Sequence, residues 1–273
     1  MNRPKVTLLS VTQDIPGVMG RVWEIAKGKA PLEDMDKMIL ADADTILSAD
    51  LPTSEYINFI WCVEGMPRAF WDQFDRSRHA AFWEQSVRIL DLTTFAKNGE
   101  YWIPESIEKD GFAKARYTEC MDNIELTYKS LINNGVPSED ARGVLPLHIN
   151  VRGTCCINLR ALKALISNRI CFIAQGSYWL PVVHGMMLEL ARVLPPKTLR
   201  SMAHLPCYKK DKCPIESNVI PRITGEDPNP PCPIFLKRFL NKDMQYDVYA
   251  KHPEYDQIKT KYYELIRSLG MDE

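Results

Sequence analysis

The sequence has almost no net charge. Its 273 residues include 34 lysines and arginines against 35 aspartates and glutamates, which gives a formal net charge of −1. This balance excludes the global basic field that attracts nucleic acid nonspecifically, so no nucleic-acid partner is expected. An anionic ligand must therefore be held by local groups of arginines, and their placement becomes the useful signal.

Long apolar runs are missing as well. No stretch approaches the roughly 18 consecutive apolar residues of a membrane span. The N-terminal residues lack the basic start and apolar run of a secretory signal. Without such a signal, the eight cysteines are interpreted as reduced thiols. We therefore expect a cytoplasmic protein with no membrane partner.

The pattern of apolar residues predicts strands and helices over the first two thirds of the chain. Strands are predicted at residues 5–11, 56–63 and 144–151. Helices are predicted at residues 67–74, 112–134 and 158–168, from 136 towards Arg142, at 174–193 with a kink at Pro181, and around 35–51, where the pattern is weaker.

Prolines dominate the chain from about residue 195 onwards, and they favour an irregular C-terminal extension. Only residues 253–269 have helical spacing there. His204, Cys207, Cys213 and Cys232 are possible zinc ligands, but their spacing matches no tight zinc knuckle. No metal site is therefore predicted.

An arginine-rich segment, residues 76–88, is the first candidate site. Arg76 and Arg78 alternate as they would in an extended turn, so both can reach one bound anion. Guanidinium groups suit phosphate because they bind it through two parallel hydrogen bonds and keep their charge. The spacing equally allows a solvated helix face with a Glu84–Arg88 ion pair, worth about 0.2–0.5 kcal/mol.

The order of residues in this segment resembles a known signature. The pattern Arg-x-Arg-x5-Glu-x-Ser-x-Arg is similar to that of the flavin-dependent thymidylate synthases, with matching Thr53, Pro67 and Gln73 upstream. A second block resembles the C-terminal half of the same family in order and spacing. It comprises residues 141–147, 158–160, 168–169 and 174–175. The resemblance covers residues 5–195.

The resemblance implies an α+β fold with a central, mostly antiparallel sheet flanked by helices. It divides the chain into a flavin- and nucleotide-binding catalytic domain, residues 1–195, and a C-terminal extension, residues 196–273. It also implies a homotetramer whose active sites are shared between subunits.

The resemblance assigns site residues position by position. FAD-binding positions are Thr53, Arg76, Ser77, Arg78, Glu84, Asn158 and Arg160. Nucleotide-binding positions are Gln73, Glu84, Ser86, Val87, Arg88, Arg142 and Arg169, with Gln73 and Arg142 reaching the nucleotide from neighbouring subunits. Arg169 is also the expected catalytic residue.

The activity implied is flavin-dependent methylation of carbon 5 of a pyrimidine nucleoside monophosphate, of the dUMP-to-dTMP type. FAD is the cofactor, and methylenetetrahydrofolate and NADPH are co-substrates. Carbon 5 of uracil is a poor nucleophile until electron density enters the ring, and a fixed cation such as Arg169 stabilises the charge that develops. No cysteine nucleophile is needed, and Cys155 and Cys156 are interpreted as strand or core residues.

Departures from the family pattern keep other functions open. Ser77 replaces a histidine, Trp83 an asparagine and Val87 a glycine, whereas the phosphate-binding arginines persist. A glycine lets backbone amides approach a phosphate closely or adopt positive φ, so Val87 bears most directly on binding. Alternatives are a divergent enzyme that acts on dCMP or UMP or transfers hydroxymethyl, and a non-catalytic nucleotide-binding homologue.

Overall fold

The computed structural model describes residues 4–28, 47, 51–169 and 176–202. The chain divides into two compact units, Met1–Leu162 and Lys163–Glu273. The domain boundary expected at residue 195 is a separate matter and stays a prediction. Within the described ranges, no helix is long and apolar enough to cross a membrane.

A four-stranded sheet forms the centre of the first unit. Its strands are β1 (Lys5–Val11), β2 (Asn58–Pro67), β3 (Ala80–Glu84) and β4 (Asn150–Asn158). They are arranged in the order β1-β2-β4-β3, and every neighbouring pair is antiparallel. The antiparallel sheet that the resemblance implied is confirmed.

Helices surround this sheet in the first unit and make up the described part of the second. They are α1 (Ile15–Ala26), α2 (Arg68–Phe74), α3 (Glu105–Glu108), α4 (Gly111–Asn133), α5 (Ser138–Ala141), α6 (Leu159–Arg169), α7 (Gly176–Leu190) and α8 (Pro196–Met202). Two 3-10 helices occupy Pro52–Tyr56 and Arg142–Val144. The boundary between the units falls within α6.

Helix α2 packs directly on the inner face of the sheet. The Phe74 ring lies 4.9 Å from the Phe82 ring of β3, between centroids, and the Trp71 indole N–H donates to the Val151 carbonyl at 3.4 Å. Gly153 of β4 makes this close approach possible, because a Cβ atom there would lie 2.5 Å from the Trp71 ring. The position of α2 therefore depends on the absence of a side chain at residue 153.

A second apolar cluster lies beside helix α4 in the same unit. It contains Leu92, Phe95, Ala96, Tyr101, Met121, Tyr128, Ala141 and Ile149. Asp110 caps α4 by accepting hydrogen bonds from the Phe112 and Ala113 amides at 2.9 and 3.1 Å. This cluster supports the turn that follows β3, since Val87 packs against it.

Several predicted elements are confirmed and two are wrong. The strand at 5–11 and the helices at 67–74 and 112–134 appear within a residue or two of the predicted bounds. The strand predicted at 144–151 is wrong, because residues 142–149 form a 3-10 helix and a loop through Pro146 before β4 begins at Asn150. The irregular extension is wrong for Pro196–Met202, which is α8 with proline at its first position.

Strand β3 and helix α1 were not predicted from the sequence. The predicted helix at 253–269 and the possible zinc ligands from His204 to Cys232 lie outside the described residues. So does nearly all of the weak helical pattern at 35–51.

Candidate functional site

The pairing of β3 with β4 separates the candidate residues into two groups within the first unit. Ala80 pairs with Ile157 and Glu84 with Gly153. The turn before β3 therefore lies beside the end of β4, and the turn after β3 lies beside its beginning. About 14 Å separate these two ends, at roughly 3.4 Å per strand residue.

The first group, called the cofactor end here, is formed by the chain around the start of β2 and the end of β4, where Asn58 pairs with Asn158. Thr53 belongs to the 3-10 helix just before β2 and is 4% exposed. Its hydroxyl has no hydrogen-bond partner among the described residues. Asn158 caps α6, because its side-chain oxygen accepts from the Ala161 amide at 2.8 Å.

Arg160 also lies at the cofactor end, on the first turn of α6. Its guanidinium lies 2.6 Å from the Glu55 carboxylate, and both side chains are about half exposed. An exposed ion pair of this kind contributes about 0–1 kcal/mol, so an anionic ligand can displace Glu55 at little cost.

Arg76 and Arg78 are exposed on the turn between α2 and β3. Neither forms an ion pair with another residue of the described ranges. Ser77 between them is half-buried, and its amide donates to the Phe74 carbonyl at 2.9 Å. His79 closes the turn in the left-handed region at φ 62°. The turn therefore presents two cations to solvent that have no ionic partner in the described part of the chain.

The second group, called the nucleotide end here, begins with the turn at 86–90. The Ile89 and Leu90 amides donate to the Ser86 carbonyl at 3.1 and 3.3 Å. The Ser86 hydroxyl accepts from the Arg88 amide at 3.3 Å. Val87 is absent from the residues with positive φ, and its side chain packs against the second apolar cluster. The turn thus forms without the glycine that the resemblance led us to expect at this position.

Arg88 and Arg142 converge on Glu139 at the nucleotide end. An Arg88 guanidinium nitrogen lies 3.4 Å from the Glu139 carboxylate, and Arg142 Nε donates to the Glu139 carbonyl at 3.1 Å. Ser138 fixes the same turn, because its hydroxyl donates to the Arg88 carbonyl at 3.0 Å. Arg88 and Arg142, which are 54 positions apart in the sequence, are therefore brought together within one chain. The expectation that Arg142 reaches the nucleotide from a neighbouring subunit differs from this arrangement and stays a prediction.

Glu84, the last residue of β3, points towards α2 and is largely buried, with 14% of its side chain exposed. Arg68 Nη1 lies 3.0 Å from its Oε2, yet the geometry is not that of a hydrogen bond. Burial raises the pKa of the Glu84 carboxyl, while the charge of Arg68 acts in the opposite direction. Sequence reasoning missed both Arg68 and Glu139, since neither belongs to the arginine-rich pattern.

Two further predicted site residues, Gln73 and Arg169, lie on helices. Gln73 lies in the last turn of α2, whereas Arg68 of its first turn contacts Glu84. The expectation that Gln73 acts on a neighbouring subunit's nucleotide stays a prediction. Arg169 belongs to the second unit, where its guanidinium lies 4.4 Å from the Trp179 ring centroid and burial lowers its pKa.

Cys155 of β4 is not an activated nucleophile. Cys155 is 2% exposed on the inner face of the sheet. Burial, with smaller contributions from Cys156 and Cys62, raises the pKa of the Cys155 thiol to about 12. A thiol with this pKa stays protonated at neutral pH, and the interpretation of Cys155 as a strand residue in the core is confirmed.

The sequence matches a known family and named relatives. Residues 46–196 match the family model described as thymidylate synthase complementing protein. The flavin-dependent thymidylate synthase of Pyrococcus furiosus is 35% identical over 138 residues, which cover 50% of this chain and 56% of that protein. The flavin-dependent thymidylate synthase of Nitratidesulfovibrio vulgaris is 32% identical over 168 residues, which cover 59% of this chain and 66% of that protein. The chain thus spans less than two thirds of these relatives' length.

A longer match has lower identity. The flavin-dependent thymidylate synthase of Sulfurisphaera tokodaii is 28% identical over 250 residues, which cover 87% of this chain and 86% of that protein.

Solved structures share the fold. The UMP/dUMP methylase PolB of Streptomyces cacaoi, bound with 5-Br dUMP, superposes with a TM-score of 0.58 at 16% identity, covering 74% of this chain and 95% of that one. Thymidylate synthase X of Helicobacter pylori, with FAD and dUMP, superposes with a TM-score of 0.53 at 14% identity. The superposition covers 73% of this chain and 97% of that one.

Proposed function

The chain belongs to the family described as thymidylate synthase complementing protein, and we propose that it is a flavin-dependent enzyme that transfers a one-carbon unit to carbon 5 of a pyrimidine nucleoside monophosphate. In its specific form the reaction converts dUMP to dTMP, with methylenetetrahydrofolate as the one-carbon donor and NADPH as the reductant. The active assembly in this proposal is a homotetramer.

The observation that carries the proposal is the division of basic residues between the two ends of β3. Arg76 and Arg78 lie at the cofactor end, and Arg88 and Arg142 lie at the nucleotide end. Guanidinium pairs bind phosphate oxygens with charge-assisted hydrogen bonds. Two anionic ligands can therefore be held at once on one short strand, as a cofactor diphosphate and a nucleotide monophosphate require.

The residues of the cofactor end fit FAD. The buried Thr53 hydroxyl lacks a partner among the described residues, and an unmade hydrogen bond of this kind costs about 1–3 kcal/mol unless a ligand supplies it. Arg76 and Arg78 would bind the diphosphate. Arg160 would release Glu55 and bind the same diphosphate instead. When bound, the flavin supplies the hydride and helps to carry the one-carbon unit.

The residues of the nucleotide end suit a phosphate and a sugar. Ser86 supplies a hydroxyl on a rigid turn, and Arg88 and Arg142 supply cations whose present partner, Glu139, is about half exposed. Arg169 is proposed to bind the pyrimidine ring. Its cation would stabilise negative charge on a ring carbonyl in the electron-rich form of the ring from which carbon 5 attacks, and a partly buried cation is more effective in this role than a solvated one.

A product panel tests the proposal. Purified, FAD-loaded protein is incubated with methylenetetrahydrofolate, NADPH and dUMP, UMP or dCMP in turn, and the nucleotide products are identified by mass. We expect a methylated product from dUMP. A product from UMP or dCMP alone would show that the substrate is not dUMP. A hydroxymethylated product would show that the transferred group is hydroxymethyl and not methyl. Protein that binds flavin and dUMP but gives no product would contradict an enzymatic role.

A further inference from the structure

We propose that Arg68 is a positioning residue that keeps Glu84 ionised and oriented for binding the nucleotide. This inference rests on the proposed function, because Glu84 is assigned there to the nucleotide. Arg68 lies outside the arginine-rich segment and comes from the first turn of α2. It reaches the site across the helix–sheet interface.

The geometry favours an electrostatic role for Arg68. Its guanidinium lies 3.0 Å from Glu84 Oε2, and a second contact, 3.6 Å to Asp72 one turn further along α2, restrains it. Glu84 Oε2 accepts no hydrogen bond from the described part of the chain. Arg68 therefore supplies charge to this buried oxygen, and a donor such as a sugar hydroxyl must reach the carboxylate through the exposed 14% of the side chain.

The close packing of α2 creates this contact. The Trp71 ring lies directly over Gly153, which is the residue paired with Glu84 in the sheet. Because residue 153 has no side chain, α2 approaches the sheet closely enough for Arg68 to reach Glu84. The same packing leaves 14% of the Glu84 side chain exposed, so its charge is only weakly stabilised by water.

The charged groups that face Glu84 all come from α2 and its end. Arg68 favours the ionised carboxyl, whereas Asp72 and Asp75 oppose ionisation. From β4, Gly153 faces Glu84, and the neighbouring Arg152 is on the opposite face, 2.6 Å from Glu64. Arg68 is thus the one cation of the described residues that offsets burial, and without it the pKa of Glu84 would rise further.

The first experiment follows Glu84 itself. The carboxyl carbon of Glu84 is titrated by NMR in the FAD-loaded full chain, with Glu84→Gln to identify its signal. We expect the midpoint to move to higher pH in Arg68→Gln and to return in Arg68→Lys, which restores the charge. An unchanged midpoint in Arg68→Gln would overturn the proposal, because a residue with only a packing role would not shift it.

The second experiment measures the apparent Kd for dUMP by calorimetry at pH 6 and pH 8. For Arg68→Gln we expect the ratio of the Kd at pH 6 to the Kd at pH 8 to be larger than for the unchanged protein, because a carboxyl with a higher pKa is protonated to a greater extent at pH 6. The same ratio in both proteins would refute a role in nucleotide binding. If the unchanged protein bound no dUMP at either pH, the proposed function would fail, while the NMR titration would still decide whether Arg68 sets the ionisation of Glu84.

Asp72→Asn provides a variant in which the pKa of Glu84 is expected to move in the opposite direction from that in Arg68→Gln. Asp72 is 45% exposed, so its replacement should leave the fold intact even if Arg68→Gln does not fold. Removing its charge should move the Glu84 midpoint to lower pH, because Asp72 raises the pKa of that carboxyl. A shift to higher pH, or none, would contradict the electrostatic account.

Discussion

Gly153 controls how closely α2 approaches the sheet, and replacing it with alanine tests that packing. The new Cβ would lie 2.5, 2.7 and 2.9 Å from three carbons of the Trp71 ring. Ordinary carbon contacts lie at about 3.5–4.0 Å, so the helix or the strand must move by roughly 1 Å. Trp71 is fully buried between Phe70 and Phe74 and cannot rotate away freely. We expect overpacking to lower the free energy of unfolding by about 1–3 kcal/mol.

The assay is urea unfolding followed by tryptophan fluorescence and circular dichroism. Gly111→Ala is the matched control, because a Cβ at that helix terminus meets nothing within 4 Å, and its effect should stay within about 0.5 kcal/mol. Gly153→Ala should also weaken dUMP binding, since the displaced helix carries Arg68 away from Glu84. If Gly153→Ala were as stable as Gly111→Ala, the position of α2 would not depend on the absence of a side chain at residue 153, and the proposal would be refuted.

Three further substitutions test the assignment of individual site residues. Arg78→Ala should weaken FAD binding about tenfold or more, since a charge-assisted hydrogen bond is worth about 1.5–3 kcal/mol. The flavin content of the purified protein measures this effect. The control is Arg116→Ala, a change at an exposed arginine of α4, which should leave the flavin content unchanged. Glu139→Gln should tighten dUMP binding up to about fivefold, because an exposed ion pair that competes for Arg88 contributes at most about 1 kcal/mol. A weaker affinity in titration calorimetry would show that Glu139 supports the site instead. Arg169→Ala should abolish turnover and leave flavin bound; full turnover in a steady-state assay would remove Arg169 from the catalytic role.

Elements with a strong local signal could be predicted from the sequence. The apolar spacing of residues 112–134 agrees with α4, and the β-branched and aromatic residues at 56–63 agree with β2. Pro67 directs the start of α2, as a proline just before a helix should. The candidate site residues were found because three arginines, a glutamate and a serine occur in the order and spacing of the family signature. Their roles in binding stay predictions.

Other features depend on contacts between distant segments and carry no local signal. Strand β3 was missed because its pattern, Ala-Ala-Phe-Trp-Glu, lacks β-branched residues, and pairing with β4 stabilises it. The contact of Arg68 with Glu84 crosses from a helix to a strand, and that of Arg88 with Glu139 spans 51 residues. Helix α1 contains Pro16, Gly17 and Gly20 near its start, so its helix propensity is low, and the Asp14 cap supports it.

The release of tritium from carbon 5 of labelled dUMP tests the central claim most directly. Substitution at carbon 5 must remove its hydrogen, whichever one-carbon group is added. With FAD-loaded protein, methylenetetrahydrofolate and NADPH, we predict that tritium is released to water. Arg88→Ala, which would lose the proposed phosphate contact, should release much less at the same dUMP concentration. Protein that carries FAD and binds dUMP, yet leaves the tritium on carbon 5, would contradict the proposed chemistry.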